Sequence, residues 1–357
     1  GATPEAAALY CTALRAYNIY RGDPVGCLDA ALEIAPDFHM AKVCKAHLHA
    51  VSSEPAAMAI ARGLLDELKR ADFDERAASH VRALDLLYTE GWHAAATALD
   101  IHNLRWPTDL LAVQTGHLID FLRGSARNLR DRIARVLPQW SPDMPGYPVL
   151  LGMHAFGLEE TNLYRRAEET GRQALEINRR DPWAVHAVAH VMEMEARLAD
   201  GIHWLTSRRD DWAPDNAFAY HNWWHLALYH LDLQQYDRVL ELYDTAIRPK
   251  PSSVVLEMVD AAALLWRLTL RGVETGSRWA ELADAYEPVI EDSCYAFNDA
   301  HAMAVFTGAG RSQAARKLLA AMEERAVGTG TNAMMTRDVG LPLARAIDAF
   351  GRSNYAR

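Results

Sequence analysis

Histidine and carboxylate side chains are concentrated in one stretch of this sequence, and their spacing is helical. His186 and His190 lie four residues apart, with Glu193 three further on. At about 100° per residue the three share one helix face. His221 and His225 repeat the four-residue interval beside Trp223 and Trp224. Asp260 and Arg267, seven apart, align on another helix, and Asn298 and His301, three apart, on a fourth. Imidazoles titrate near neutral pH, and a neighbouring carboxylate can fix their tautomer, so such a set can move protons or hold a metal.

Three readings stay open at this level. In the first, His186, His190 and Glu193 ligate a divalent metal such as zinc or iron. The pattern departs from the zincin motif, because Ala187 stands where the Glu general base belongs. In the second, a metal-free pocket uses His186, His190, Glu193, His221, His225, Asp260 and His301 as acids and bases. Trp224, Arg267 and Asn298 then contact the substrate, joined by His154 and by His117, which has Asp120 three residues on. In the third, the histidines are hydrogen-bonded polar spacers between packed helices, and the tryptophans fill gaps between hairpins.

The elements that must position these groups are helices. Ala, Leu, Arg and Glu dominate, strand-like alternation is nearly absent, and small or apolar residues recur at three and four, as in Tyr164, Ala167, Gly171, Ala174 and Leu175. Turn signals recur at Pro36-Asp37, Ala71-Asp72, Trp106-Pro107, Pro142-Asp143, Asp181-Pro182, Pro214-Asp215 and Pro249 to Pro251. Their spacing of about 35 residues is that of a helix-turn-helix repeat. Shorter turns at Arg21 to Pro24, Glu90 to Trp92, Ala199 to Gly201 and Gly308 to Arg311 divide the repeats. The expectation is an all-α solenoid of about seven tetratricopeptide-like hairpins. It would be a right-handed superhelix forming one domain over residues 1–357, curled tightly enough to enclose a cavity. Leu137 to Pro148 reads as an irregular loop, and Gly328, Gly330 and Asn332 as a loop before a last helix near Leu341 to Phe350.

Several strings carry a family resemblance. They are Leu150 to Glu160, Trp183 to Met194, Asp211-Trp212, His221 to His230, Asp260 to Arg267 and Phe297 to Ala302. Together, over about Ala16 to Gly310, they resemble the tetratricopeptide repeat protein 38 family. The resemblance implies a tetratricopeptide-like helical fold and does not specify an activity.

Composition narrows the function classes. A net charge of −10, from 37 Lys and Arg against 47 Asp and Glu, argues against a nucleic-acid partner. No apolar run is long enough to span a bilayer, so no membrane partner is expected. The opening Gly-Ala-Thr-Pro, without Met or an apolar leader, reads as an added overhang before the native chain. Four cysteines without a CxxC pair suit a reducing cytoplasm. No GxSxG, P-loop or GxGxxG pattern points to a nucleophile or a nucleotide. Two classes remain: a compact pocket for a small-molecule ligand, with hydrolase- or lyase-type acid–base chemistry, and a peptide- or protein-binding scaffold. Concentration of His, Trp, Asp and Glu over about three hairpins favours the compact pocket. Substrate and oligomeric state are not legible.

Overall fold

The computed structural model describes residues 1–292 and 294–355. Among them there is no strand, and the one isolated β-bridge joins Arg21 to Asn216. Backbone packing divides the chain into two compact units where the sequence reads as one array. The first comprises Gly1–Ser52 and Ala56–Ala219, the second Ser53–Pro55 and Tyr220–Arg357. No described helix is long and apolar enough to cross a membrane.

The first unit is a run of antiparallel hairpins: α1 (Pro4–Ile19) with α2 (Pro24–Ile34), α3 (His39–Ala50) with α4 (Pro55–Leu68), and α5 (Glu75–Thr89) with α6 (Trp92–Arg105). It continues with α7 (Leu110–Leu122) and α8 (Ala126–Val136), α9 (Tyr147–Glu159) and α10 (Tyr164–Ile177), α11 (Pro182–Met194) and α12 (Leu198–Ser207), and the single turn α13 (Arg209–Trp212). The second unit holds α14 (Ala219–Asp232), α15 (Tyr236–Leu242), α16 (Val255–Leu270), α17 (Arg278–Tyr286), α18 (Ala296–Gly308), α19 (Ser312–Arg325), α20 (Thr331–Met335) and α21 (Leu341–Gly351). Within it α18 packs against α16, α19 and α21.

Helix starts are set by side-chain caps. Thr3, Asp23, Asp74, Asp109 and Asp181 each accept a backbone N–H of the first turn, and Pro fills the first position of α1, α2 and α11. The turns inside hairpins close on left-handed residues: Gly124, Asn162 and Ala196 in the first unit, and Gln234, Gly272 and Gly310 in the second. Three turn readings shift. The break between α11 and α12 falls at Ala196, so Ala199 to Gly201 lie inside α12. Leu137–Gln139 form a 3₁₀ turn, and Tyr147 and Pro148 already belong to α9. Asn332 is helical, in α20, while the last helix lies where expected.

The first unit closes on itself. The Arg21 guanidinium donates to the carbonyls of Pro214 (2.5 Å) and Asp211, and Ala217 N–H donates to Tyr20 O at 2.9 Å. The turn after α1 is thereby tied to the segment that follows α13, and Tyr20 contacts Trp183 and Phe218.

Helix α9 approaches α8 so closely that a Cβ on Gly157 would sit 2.4 Å from the backbone nitrogen of Arg130. Gly63, on α4, has open space around it. We predict that Gly157→Ala destabilises the protein by about 1–3 kcal/mol through overpacking. Gly63→Ala should be neutral or stabilising by up to about 1 kcal/mol. Denaturant midpoints check the pair, and equal effects would contradict the close approach.

Candidate functional site

Of the seven residues proposed as acids and bases, His186, His190 and Glu193 belong to the first unit and His221, His225, Asp260 and His301 to the second, and each set is described within its own unit. In the first, α11 turns His186 and His190 to one face, with their Nε2 atoms 2.9 Å apart. His186 is buried and stacked on Trp183, with ring centroids 5.0 Å apart at 15°. Phe156 of α9 and Phe218 meet the same ring. His190 reaches the other way, its Nδ1 lying 3.4 Å from Glu159 Oε2 at the end of α9. Burial disfavours the imidazolium of His190. The Glu159 hydrogen bond and the charges of Glu159, Glu193 and Glu160 outweigh it, so its pKa lies above the ordinary 6.5.

Glu193 therefore contributes to the field at His190, but the carboxylates grouped with it come from α9. Glu159, Glu160 and His190 offer donor atoms within 4.8 Å of one another. This set has the donor chemistry of a divalent-metal site, with α9 rather than α11 supplying the carboxylates. Glu160 is pushed upward by burial and by Glu159.

His117, on α7, is fully buried edge-on to Trp183 at 6.2 Å, which brings it to the same aromatic cluster. Burial and the Arg132 guanidinium push its pKa down to about 3, so it is neutral at ordinary pH. His154 does not join. It sits among Arg166, Arg130 and Asp131, charges of α10 and α8, and burial with the two guanidiniums lowers its pKa to about 4. Phe156, two residues on, takes the face of α9 that meets α11, and a two-residue step is about 200° of helix.

The second unit brings together residues from α14 and α16. His221 Nδ1 lies 2.7 Å from Asp260 Oδ2, and His225 Nε2 lies 3.3 Å from His221 Nε2. With Asp260 ionised, His221 donates through Nδ1, and its Nε2 lone pair accepts from His225. Trp224 stacks on His221 at 9°, and the Arg267 guanidinium lies over Trp224 at 5.2 Å. His301, on α18, donates through Nδ1 to the Phe297 carbonyl at 2.8 Å. Burial lowers its pKa, and Asp260 and Arg267 are its charged neighbours. Asn298 is turned elsewhere: its amide donates to Ser53 Oγ at 3.3 Å, within the same unit.

A third cluster lies outside the expected stretch. Asp109 Oδ2 accepts from Arg76 Nε at 2.6 Å, His80 Nε2 at 3.0 Å and His102 Nε2 at 3.1 Å, and its Oδ1 caps α7 at Ala112. His80 Nδ1 in turn accepts from His47 Nε2 at 3.0 Å. His80, His102 and Asp109 have metal-ligand spacing, but the Arg76 guanidinium already occupies the shared oxygen and opposes a second cation. The available signal was periodic rather than local. His47 and His80 are 33 residues apart, as are Arg76 and Asp109, one repeat in each case.

Together these features describe a protein whose described residues form helical hairpins with buried histidine–carboxylate clusters. No protein-family model matches the chain. Among solved structures, yeast Tom70 aligns over 98% of this chain and 88% of its own, at 12% identity and a TM-score of 0.42.

The His190 shift has a definite sign. A histidine whose folded pKa is raised contributes stability that is full below its unfolded pKa and is lost as pH rises through the folded value. Replacing His190 by Gln should therefore cost more stability at about pH 6 than at about pH 9. Urea titrations of both proteins at the two pH values test this, and a loss that grows with pH would contradict the Glu159 pairing.

Proposed function

We propose that this chain is a helical-hairpin scaffold that binds a peptide or protein partner. The observation that carries the reading is a surface groove of about 470 Å³ between α5 and α6 of the first unit. Ser79, Arg82, Leu86 and Glu90 form one wall at three- and four-residue spacing; Ala94, Thr97, Ala98 and Ile101 form the other. Small residues keep the floor low, and Ile101 is 63% exposed. A mixed strip, with Leu86, Ala94, Ala98 and Ile101 as its apolar part and Arg82, Glu90 and His93 as its polar part, suits a short amphipathic segment laid along it. The same reading extends to membership of the tetratricopeptide repeat protein 38 family, on the His-containing strings, and to a reducing compartment, on four cysteines without a CxxC pair.

A second reading, acid–base chemistry on a small molecule, is favoured by one observation: the Asp260–His221–His225 chain in the second unit. Asp260 would orient His221, and Arg267 over Trp224 would anchor an anionic group.

Peptide-library selection on the immobilised full chain separates the two. Selected peptides should carry apolar residues at three- and four-residue spacing and should lose at least about tenfold in affinity to Ala98→Trp, which fills the groove. His221→Gln should leave them unchanged. Peptides indifferent to Ala98→Trp would overturn the scaffold reading, and sensitivity to His221→Gln alone would favour the second.

A further inference from the structure

A cleft of about 340 Å³ in the first unit is lined by side chains of α10, α11 and α12 and the residues that follow them. Its fixed element is Trp204. The indole is buried, and its N–H donates to the Val185 carbonyl at 3.0 Å. Two guanidiniums stack on it, Arg172 at 4.7 Å and Arg208 at 4.4 Å from the ring centroid. A guanidinium lying over an indole leaves its N–H edge for an acceptor, and Arg172 already gives that edge to Glu168. Arg197 adds a third cation to the cleft, with His203 and Ser207 beside it.

The counter-charges do not reach all three arginines. Glu168 is shared, taking Arg172 Nη2 at 2.7 Å through one oxygen and Arg197 Nη2 at 2.5 Å through the other. Glu195 takes Arg197 Nε at 3.0 Å, and Asp200 lies in the cleft wall. Arg208 has no ion-pair partner among the described residues. Burial pulls its pKa down, Asp211 opposes this, and Arg172 and Arg179 add to it, as expected for a cation facing other cations. In a chain of net charge −10, three guanidiniums thus converge on one cleft, one of them outside any ion pair among the described residues.

We propose that this cleft binds the phosphoryl group of a small phosphorylated molecule. Arg208, Ser207 and His203 come from the end of α12, and Arg172 and Arg197 from the elements beside it. The cleft is therefore lined by donors from several elements, which suits a tetrahedral oxyanion better than the single fork that suits a planar carboxylate. The volume holds the phosphoryl group and a modest organic body. Asp200 tempers the site by repelling the anion.

The test is calorimetric titration of inorganic phosphate, with acetate as the planar comparison, into the full chain at constant ionic strength. Saturable 1:1 phosphate binding is expected, with acetate much weaker. Arg208→Gln should weaken phosphate by at least about tenfold with unchanged helical circular dichroism. Asp200→Asn should tighten it. Absence of saturation, acetate binding as tight as phosphate, or wild-type affinity in Arg208→Gln would each overturn the proposal. Should Arg208→Gln lose its helical signal, Ser207→Ala is read in its place, and unaltered affinity there overturns it.

Discussion

The arrangement of the first unit depends on one buried carboxylate. Asp109 receives Arg76 and His80 from α5, His102 from α6 and the first-turn N–H of α7, and through His80 it holds His47 of α3. Three helices thus meet at one side chain, and a fourth, α3, is linked to it through His80. Burial alone would raise the pKa of Asp109, but hydrogen bonds from His102, His80 and Arg76 hold it well below the usual carboxylate range. Stripping partners from such a group would leave a buried charge unmatched, at a cost of several kcal/mol. Four donors leave Asp109 with little capacity to act on a ligand, so the histidines around it serve packing geometry. The spacer reading of buried histidines therefore applies to this cluster, outside the stretch where the sequence concentrates them.

The same residue type behaves differently where its carboxylate is less occupied. His190 meets Glu159, Glu160 and Glu193 without a guanidinium competing for the same oxygen, and its pKa moves upward. His47, His80 and His117 move downward because burial dominates. One helical scaffold therefore carries neutral structural histidines and one poised to be charged. The difference lies in whether nearby carboxylates outweigh burial, as three do at His190.

Much of the fold was legible because its signals are local. Asp181-Pro182 announces a helix start through a side-chain cap and a preset φ, and Gly310 marks a left-handed turn that glycine adopts without strain. Ala196 takes the same left-handed turn with no compositional mark, so Ala199 to Gly201 drew the boundary instead. The two-unit division left no Gly- or Ser-rich linker to read. At the sites, the four-residue pairs His186–His190 and His221–His225 were visible as helix faces and Asp260 was placed in the same set, but the pairing of Glu159 with His190 was not. Glu159 reaches His190 from another hairpin, and Asp260 lies 39 residues from His221. Asn298 and His154 carried the right chemistry on helix faces that turn to other neighbours. The Asp109 cluster escaped because its members are separated by a repeat length, and only packing of successive hairpins brings them together.

The central claim is that Asp109 fixes His80 and, through it, His47 as neutral, oriented spacers. Long-range ¹H–¹⁵N NMR of the imidazoles, followed between about pH 5 and 8, tests it most directly. With Asp109 ionised, His80 must carry its proton on Nε2, and burial keeps both His80 and His47 below the ordinary value of 6.5. The account predicts an Nε2–H tautomer at His80 and no imidazolium at either residue at neutral pH. A His80 that titrates at its ordinary value, or carries its proton on Nδ1, would contradict it.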